Sequence, residues 1–65
     1  MLILDAKVNL TCIETNRMAS GTIVRIQGNR VDVALDQGGL LVSLHMKKAG
    51  LYVGSQSGLE FVMKI

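Results

Sequence analysis

The sequence predicts an all-β protein, a single small barrel of five or six mostly antiparallel strands. Three observations predict it. Apolar and polar residues alternate with period two along most of the chain, the pattern of strands with one buried face. Seven glycines and no proline punctuate that alternation at intervals suited to tight turns. No stretch of about ten residues or more carries helical period.

The strands follow in order. In "KVNLTCIE" Val8, Leu10 and Cys12 share one face, with Asn9 and Thr11 on the other. "TIVRI" is mixed; Val24 and Ile26 are expected inside and Arg25 outside, which leaves Ile23 on the outer face. "RVDVAL" is cleaner, with Val31, Val33 and Leu35 set against Arg30, Asp32 and Ala34. "LLVSLHM" sets Val42, Leu44 and Met46 against Leu41, Ser43 and His45. The last strand, "GLEFVMKI", directs Leu59, Phe61, Met63 and Ile65 to one face and Glu60, Val62 and Lys64 to the other. "QGNR" offers Gly28-Asn29 as the centre of a two-residue hairpin, since both residues tolerate positive φ. "DQGG" closes a second hairpin through Gly38 and Gly39. "KKAGLYVGSQSG" is a longer link with one helical turn expected near Met46 to Ala49. So many short strands in 65 residues point to a closed or nearly closed barrel.

Length and composition set the limits. Residues 1–65 form one domain, and a chain this short buries only about 60% of the surface it exposes when unfolded. Hydrophobic residues make up 49% of the chain, yet only Tyr52 and Phe61 are aromatic, so Val, Ile, Leu and Met must build the core. That hydrophobic fraction, with a net charge of only +2, excludes disorder. The lone Cys12 excludes an intramolecular disulfide and the small secreted disulfide scaffolds. "MLIL" is too short for a signal-peptide core, and no apolar run approaches the roughly 20 residues of a membrane span. A complete, soluble protein of a reducing compartment, the bacterial cytoplasm, is the expectation.

The search for chemistry is nearly empty. His45 shares a predicted face with Ser43, a pair that could supply a base and a nucleophile, but a surface His beside a surface Ser is the commoner arrangement. Cys12 and His45 are the only soft ligands, short of the three or four a zinc site takes. No metal or cofactor is expected. The glycines of "GLYVGSQSG" lack both the Lys-Ser/Thr ending of a phosphate loop and a following helix. Arg25 and Arg30 flank the hairpin turn, where two guanidinium forks could grip a phosphate, or else share a solvated face with Asp32. Lys47 and Lys48 add a basic loop pair. The aromatic platforms that hold single-stranded nucleic acid are missing apart from Tyr52, which is expected to pack half-buried with its hydroxyl wet.

The tail "LYVGSQSGLEFVMKI" resembles the closing strands of PilZ-like domains, small bacterial β-barrels of which many bind cyclic di-GMP. Val8 to Leu10 and "GTIVRI" from Gly21 fit that layout, so the likeness covers about two-thirds of the chain. It rests on alternation and glycine placement. The family's ligand motifs are not matched: Arg25 and Arg30 are separated by one residue too many, and Met18 stands where "NRMASG" would need Ser. The resemblance therefore implies a PilZ-like barrel that contacts another protein rather than the dinucleotide. "GTIVRIQGNRVDVAL" also looks like the strand-turn-strand of KOW and other SH3-like modules, which bind RNA or protein, and "MLIL" resembles the opening of carbon-storage-regulator repressors.

Two functions are carried forward. The first is a non-enzymatic binding or regulatory module acting through protein–protein contacts, self-associating through Ile13, Ile23, Leu41 and Val62 on nominally outer faces. The alternative is an RNA- or nucleotide-binding barrel using Arg25, Arg30, Lys47 and Lys48.

Overall fold

The computed structural model describes residues 2–65, and every regular element among them is a strand. The strands are β1 (Lys7–Cys12), β2 (Arg17–Gln27), β3 (Arg30–Leu35), β4 (Leu41–Lys48), β5 (Leu51–Gln56) and β6 (Leu59–Lys64). Each pairs antiparallel with the next, and β6 returns to β1 to close a barrel in simple meander order. The alternation read from the sequence becomes the barrel wall: Leu10, Cys12, Val31, Val33, Leu35, Val42, Leu44, Tyr52, Phe61 and Met63 fill the interior. Met46, Leu59 and Ile65 obey the same alternation but lie near the barrel ends, where the interior opens to solvent, and stay exposed.

Tyr52, expected half-buried, is 7% exposed and belongs to the core. Two further expectations are corrected. Ile26 keeps the inward face opposite Val31, though 37% exposed near the barrel end, but Ile23 lies inside the barrel, 1% exposed, and Val24 is exposed. The cause is a β-bulge: Ile23 pairs with Val33, Arg25 with Asp32, and Val24 has no partner between them. One extra residue reverses the inside-outside phase, so alternation counted back from Ile26 assigns Ile23 and Val24 to the wrong faces. Second, no helical turn forms near Met46 to Ala49. β4 continues to Lys48 with a bulge between Met46 and Lys48, and the Met46 N–H donates to the Asn29 carbonyl at 2.8 Å. The link shrinks to the turn Ala49-Gly50, β5 occupying Leu51–Gln56 and a second turn following at Ser57-Gly58.

The hairpin centred on Gly28-Asn29 forms as expected, with φ +58° at Gly28 only, as at the first centre of a type II′ turn. Two ladders in the barrel are short, and a side chain bridges each. β4 and β5 pair only through His45–Val53, Met46–Tyr52 and Lys48–Leu51; beyond them Gln56 Nε2 donates to the Leu41 carbonyl at 3.1 Å. β1 and β6 pair only through Thr11–Val62 and Cys12–Phe61, and there the Glu60 N–H donates to Glu14 Oε1 at 2.9 Å. Gly54 sits where β5 leaves β4. A Cβ there would strike the Ser43 carbonyl oxygen, so only glycine lets the two backbones approach this closely.

Candidate functional site

The two hairpin arginines share a face with one carboxylate, and one of them engages it. The β2–β3 register sets Arg25 opposite Asp32, and Arg30 lies two residues before Asp32 on the same face of β3. Arg30 Nε donates to Asp32 Oδ1 at 3.2 Å, and Arg30 Nη2 to Ser43 Oγ at 3.3 Å. The Ser43 hydroxyl donates in turn to Asp32 Oδ1 at 2.8 Å. Asp32 points away from the core, yet its neighbours cover it until only 4% is exposed. The Ser43 hydroxyl, above all, holds its carboxyl below the ordinary value of 3.8; burial opposes this, and the Arg30 hydrogen bond with the Arg30 and Arg25 charges reinforces it.

This geometry decides what the arginines can do. Asp32 offsets one of the two positive charges and occupies one guanidinium, so the pair is not an open fork for phosphate. Arg25 is exposed and forms no ion pair among the described residues. Ser43 is engaged by Asp32 and Arg30, and among the described residues no hydrogen bond joins it to His45. The supposed base and nucleophile share a face without forming a couple. Sequence reading took Asp32 as an ordinary surface partner; its burial depends on Ser43, brought alongside by the β3–β4 register.

Charge is sorted along the barrel. One mouth carries the turns Gly28-Asn29 and Ala49-Gly50 and the end of β6, which places Arg30, Lys47, Lys48 and Lys64 around it. The Met46–Asn29 hydrogen bond ties the arginine hairpin to β4 next to Lys47. The opposite mouth carries loop 13–16, loop 36–40 and the Ser57-Gly58 turn, with Glu14, Asp36 and Glu60 alongside Arg17. Hydrogen bonds from the backbone amides of Glu60 and Glu14 itself hold the Glu14 carboxyl below its ordinary value, against a smaller effect of burial. A cleft of about 540 Å³ opens at this acidic mouth, where Cys12, Leu35 and Phe61 meet a rim of Thr15, Asp36 and Gln37.

The apolar interface candidates separate. Ile13 and Val62 line one surface groove of about 580 Å³ together with Met18, which sequence reading passed over. Ile13 is 53% and Met18 69% exposed, and Thr11 lies between Met18 and Val62 in the cross-strand register. Leu41 is exposed but belongs to the β3–β4 side, away from that groove. Ile23, buried in the core, is removed from the set.

No family model matches this chain, and no curated protein or solved structure matches it. Among the described residues no helix is long and apolar enough to cross a membrane, and no group of His, Cys, Asp and Glu is placed to hold a metal ion.

Proposed function

We propose that this barrel is a non-enzymatic binding module that works through protein–protein contacts and associates with itself. The observation that carries the reading is the outer apolar set Ile13, Met18 and Val62, contributed by β2, β6 and the loop after β1. A domain of this size leaves a thin stability margin, and covering exposed Met and Ile with a second surface adds apolar burial at about 25 cal/mol per Å². In the terms of the resemblance, it would be a PilZ-like barrel adapted to protein contact, in keeping with its unmatched dinucleotide motifs. The reading makes the chain regulatory or architectural and places it in the bacterial cytoplasm.

The test is solution mass by light scattering over a concentration series at low and high salt. A dimer or larger species that persists at high salt and dissociates on Ile13→Asp with Met18→Asp is the expected result. A monomer at every concentration, or an assembly unmoved by those substitutions, overturns self-association through this surface.

One observation favours a second reading. The gathering of Arg30, Lys47, Lys48 and Lys64 at one mouth suits an RNA or nucleotide phosphate, with Arg25 the remaining unpaired guanidinium of the hairpin. Affinity for an RNA oligonucleotide should then fall steeply with salt and vanish on Arg25→Ala with Arg30→Ala. Affinity that neither change moves sinks this reading.

A further inference from the structure

We infer that the open half of the β1–β6 seam is a strand-docking site for an extended segment of a partner protein, one in which apolar residues alternate with acidic ones. The inference rests on the protein-contact reading above and names the surface and the partner's chemistry.

The seam is half closed. The Ile13 N–H donates to the Glu60 carbonyl at 2.9 Å, and Thr11 pairs with Val62. The next hydrogen-bonded pair along the ladder would be Asn9 with Lys64, and the pairing stops short of it, at Thr11 with Val62. In an antiparallel ladder alternate residues direct both backbone groups to the same neighbour. The Ile23 N–H on the Ala6 carbonyl fixes that phase, so Val8 and Leu10 turn theirs toward β2. The Ile65 N–H on the Gly50 carbonyl likewise assigns Ile65 and Met63 to β5. Lys7 and Asn9 on one side, and Lys64 on the other, therefore face the gap with N–H and C=O groups that no strand among the described residues takes up.

Those three residues line the groove already described. Its open length, Lys7 to Asn9, is about 10 Å at 3.3 Å per residue, enough for a short added strand. A strand laid there sends alternate side chains inward, toward Val8 and the core it packs on, and outward, past Lys7 and Lys64. The inward set must be apolar. The outward set meets the Lys7 and Lys64 ammonium groups, and no acid is among the described residues that line the groove. Asp36 engages Lys7 at 2.9 Å, and Lys64 has no ion-pair partner among the described residues. A partner carboxylate is the complement of that free ammonium.

The experiment follows backbone amides of the nitrogen-15-labelled chain at a dilution where light scattering shows monomer. The probes are a capped peptide of alternating Val and Glu and its Val-Lys counterpart. In the free chain the Asn9 and Lys64 amides should exchange with solvent at least about tenfold faster than those of Leu10 and Met63. The Val-Glu peptide should shift and protect the Lys7, Asn9 and Lys64 amides saturably. The Val-Lys peptide should bind at least about tenfold more weakly, with Lys64→Glu reversing the preference. Asn9 protected in the free monomer, seam amides unmoved by Val-Glu peptide at about 1 mM, or an equal response to both peptides overturns the proposal. Protection of Asn9 that appears only on concentration overturns it too, by assigning the seam to a second copy. Seam amides that neither peptide moves, in a chain that still self-associates, defeat the docking site and leave the protein-contact reading standing.

Discussion

Ile23 and Val24 are neighbours in sequence and stand on opposite sides of the barrel wall, so truncating each in turn tests the bulge between them. Ile23→Ala removes about three carbons from a fully buried site, roughly 2.4 kcal/mol at 0.8 kcal/mol per buried methylene. The cavity left among the core side chains raises this to about 3–4 kcal/mol. A 65-residue domain has a total stability of roughly 3–10 kcal/mol, so that variant sits near the edge of folding. Ile23→Val is the gentler probe, at about 0.5–1.5 kcal/mol. It should lower Tm by roughly 2–12 °C, given about 4–8 °C per kcal/mol in a domain of this size. Val24→Ala trims a side chain already exposed and should stay within about 0.5 kcal/mol. Urea and thermal unfolding followed by circular dichroism, with the m-value checked for constancy, supply both numbers. Val24→Ala costing more than Ile23→Val would place the bulge elsewhere and refute the assignment.

Other outcomes follow from the same geometry. Gly54→Ala drives a methyl group against the Ser43 carbonyl oxygen, which cannot yield without moving β4, and should cost about 1–3 kcal/mol in urea unfolding. Gln56→Ala removes the bridge to the Leu41 carbonyl; a loss of about 0.5–1.5 kcal/mol, with faster amide exchange in the first half of β4, is expected. Asp32 has a folded pKa below its ordinary value of 3.8, so its contribution is whole above that value and is lost as pH falls from there through the folded value. Asp32→Asn should flatten the urea midpoint over this acid range, and Ser43→Ala, by raising the folded value toward 3.8, should shrink the loss and complete it at higher pH; a Ser43→Ala profile like that of the wild type would show the hydroxyl is not the main cause.

How much was legible depended on whether a residue's position followed from its neighbours in sequence. β1, β3 and β6 were read face by face because their alternation is uninterrupted. The Gly28-Asn29 turn was read because two-residue hairpins draw on few residue types. β2 failed at Ile23 because Ile, Val and Ile stand within four positions, and composition gives no sign of which phase the bulge selects. β5 was half hidden because glycine and serine in "VGSQSG" read as a loop, whereas Gly54 is there to let β4 and β5 approach. The arginine hairpin was located correctly, but its meaning depends on Ser43, which reaches Asp32 only across the β3–β4 register. The groove was the least legible feature, since it unites residues near both ends of the chain.

Spatial order around the barrel repeats sequence order, so five of the six ladders join strands consecutive along the chain. Only the last, β1 to β6, joins segments as remote as Cys12 and Phe61, and it is also a short ladder. The molecule is thus a rolled sheet held by one short zip. The first five ladders can form progressively from local turns, whereas the zip bears the entropy of closing nearly the whole chain. It should form last and release first, so brief openings yield an unrolled sheet with β1 and β6 as its two free edges. Such edges pair readily with strands of other chains. A circular permutant that joined the present termini and began at Gly39 would move the final closure to the five-pair β3–β4 ladder, lengthening the interval between openings.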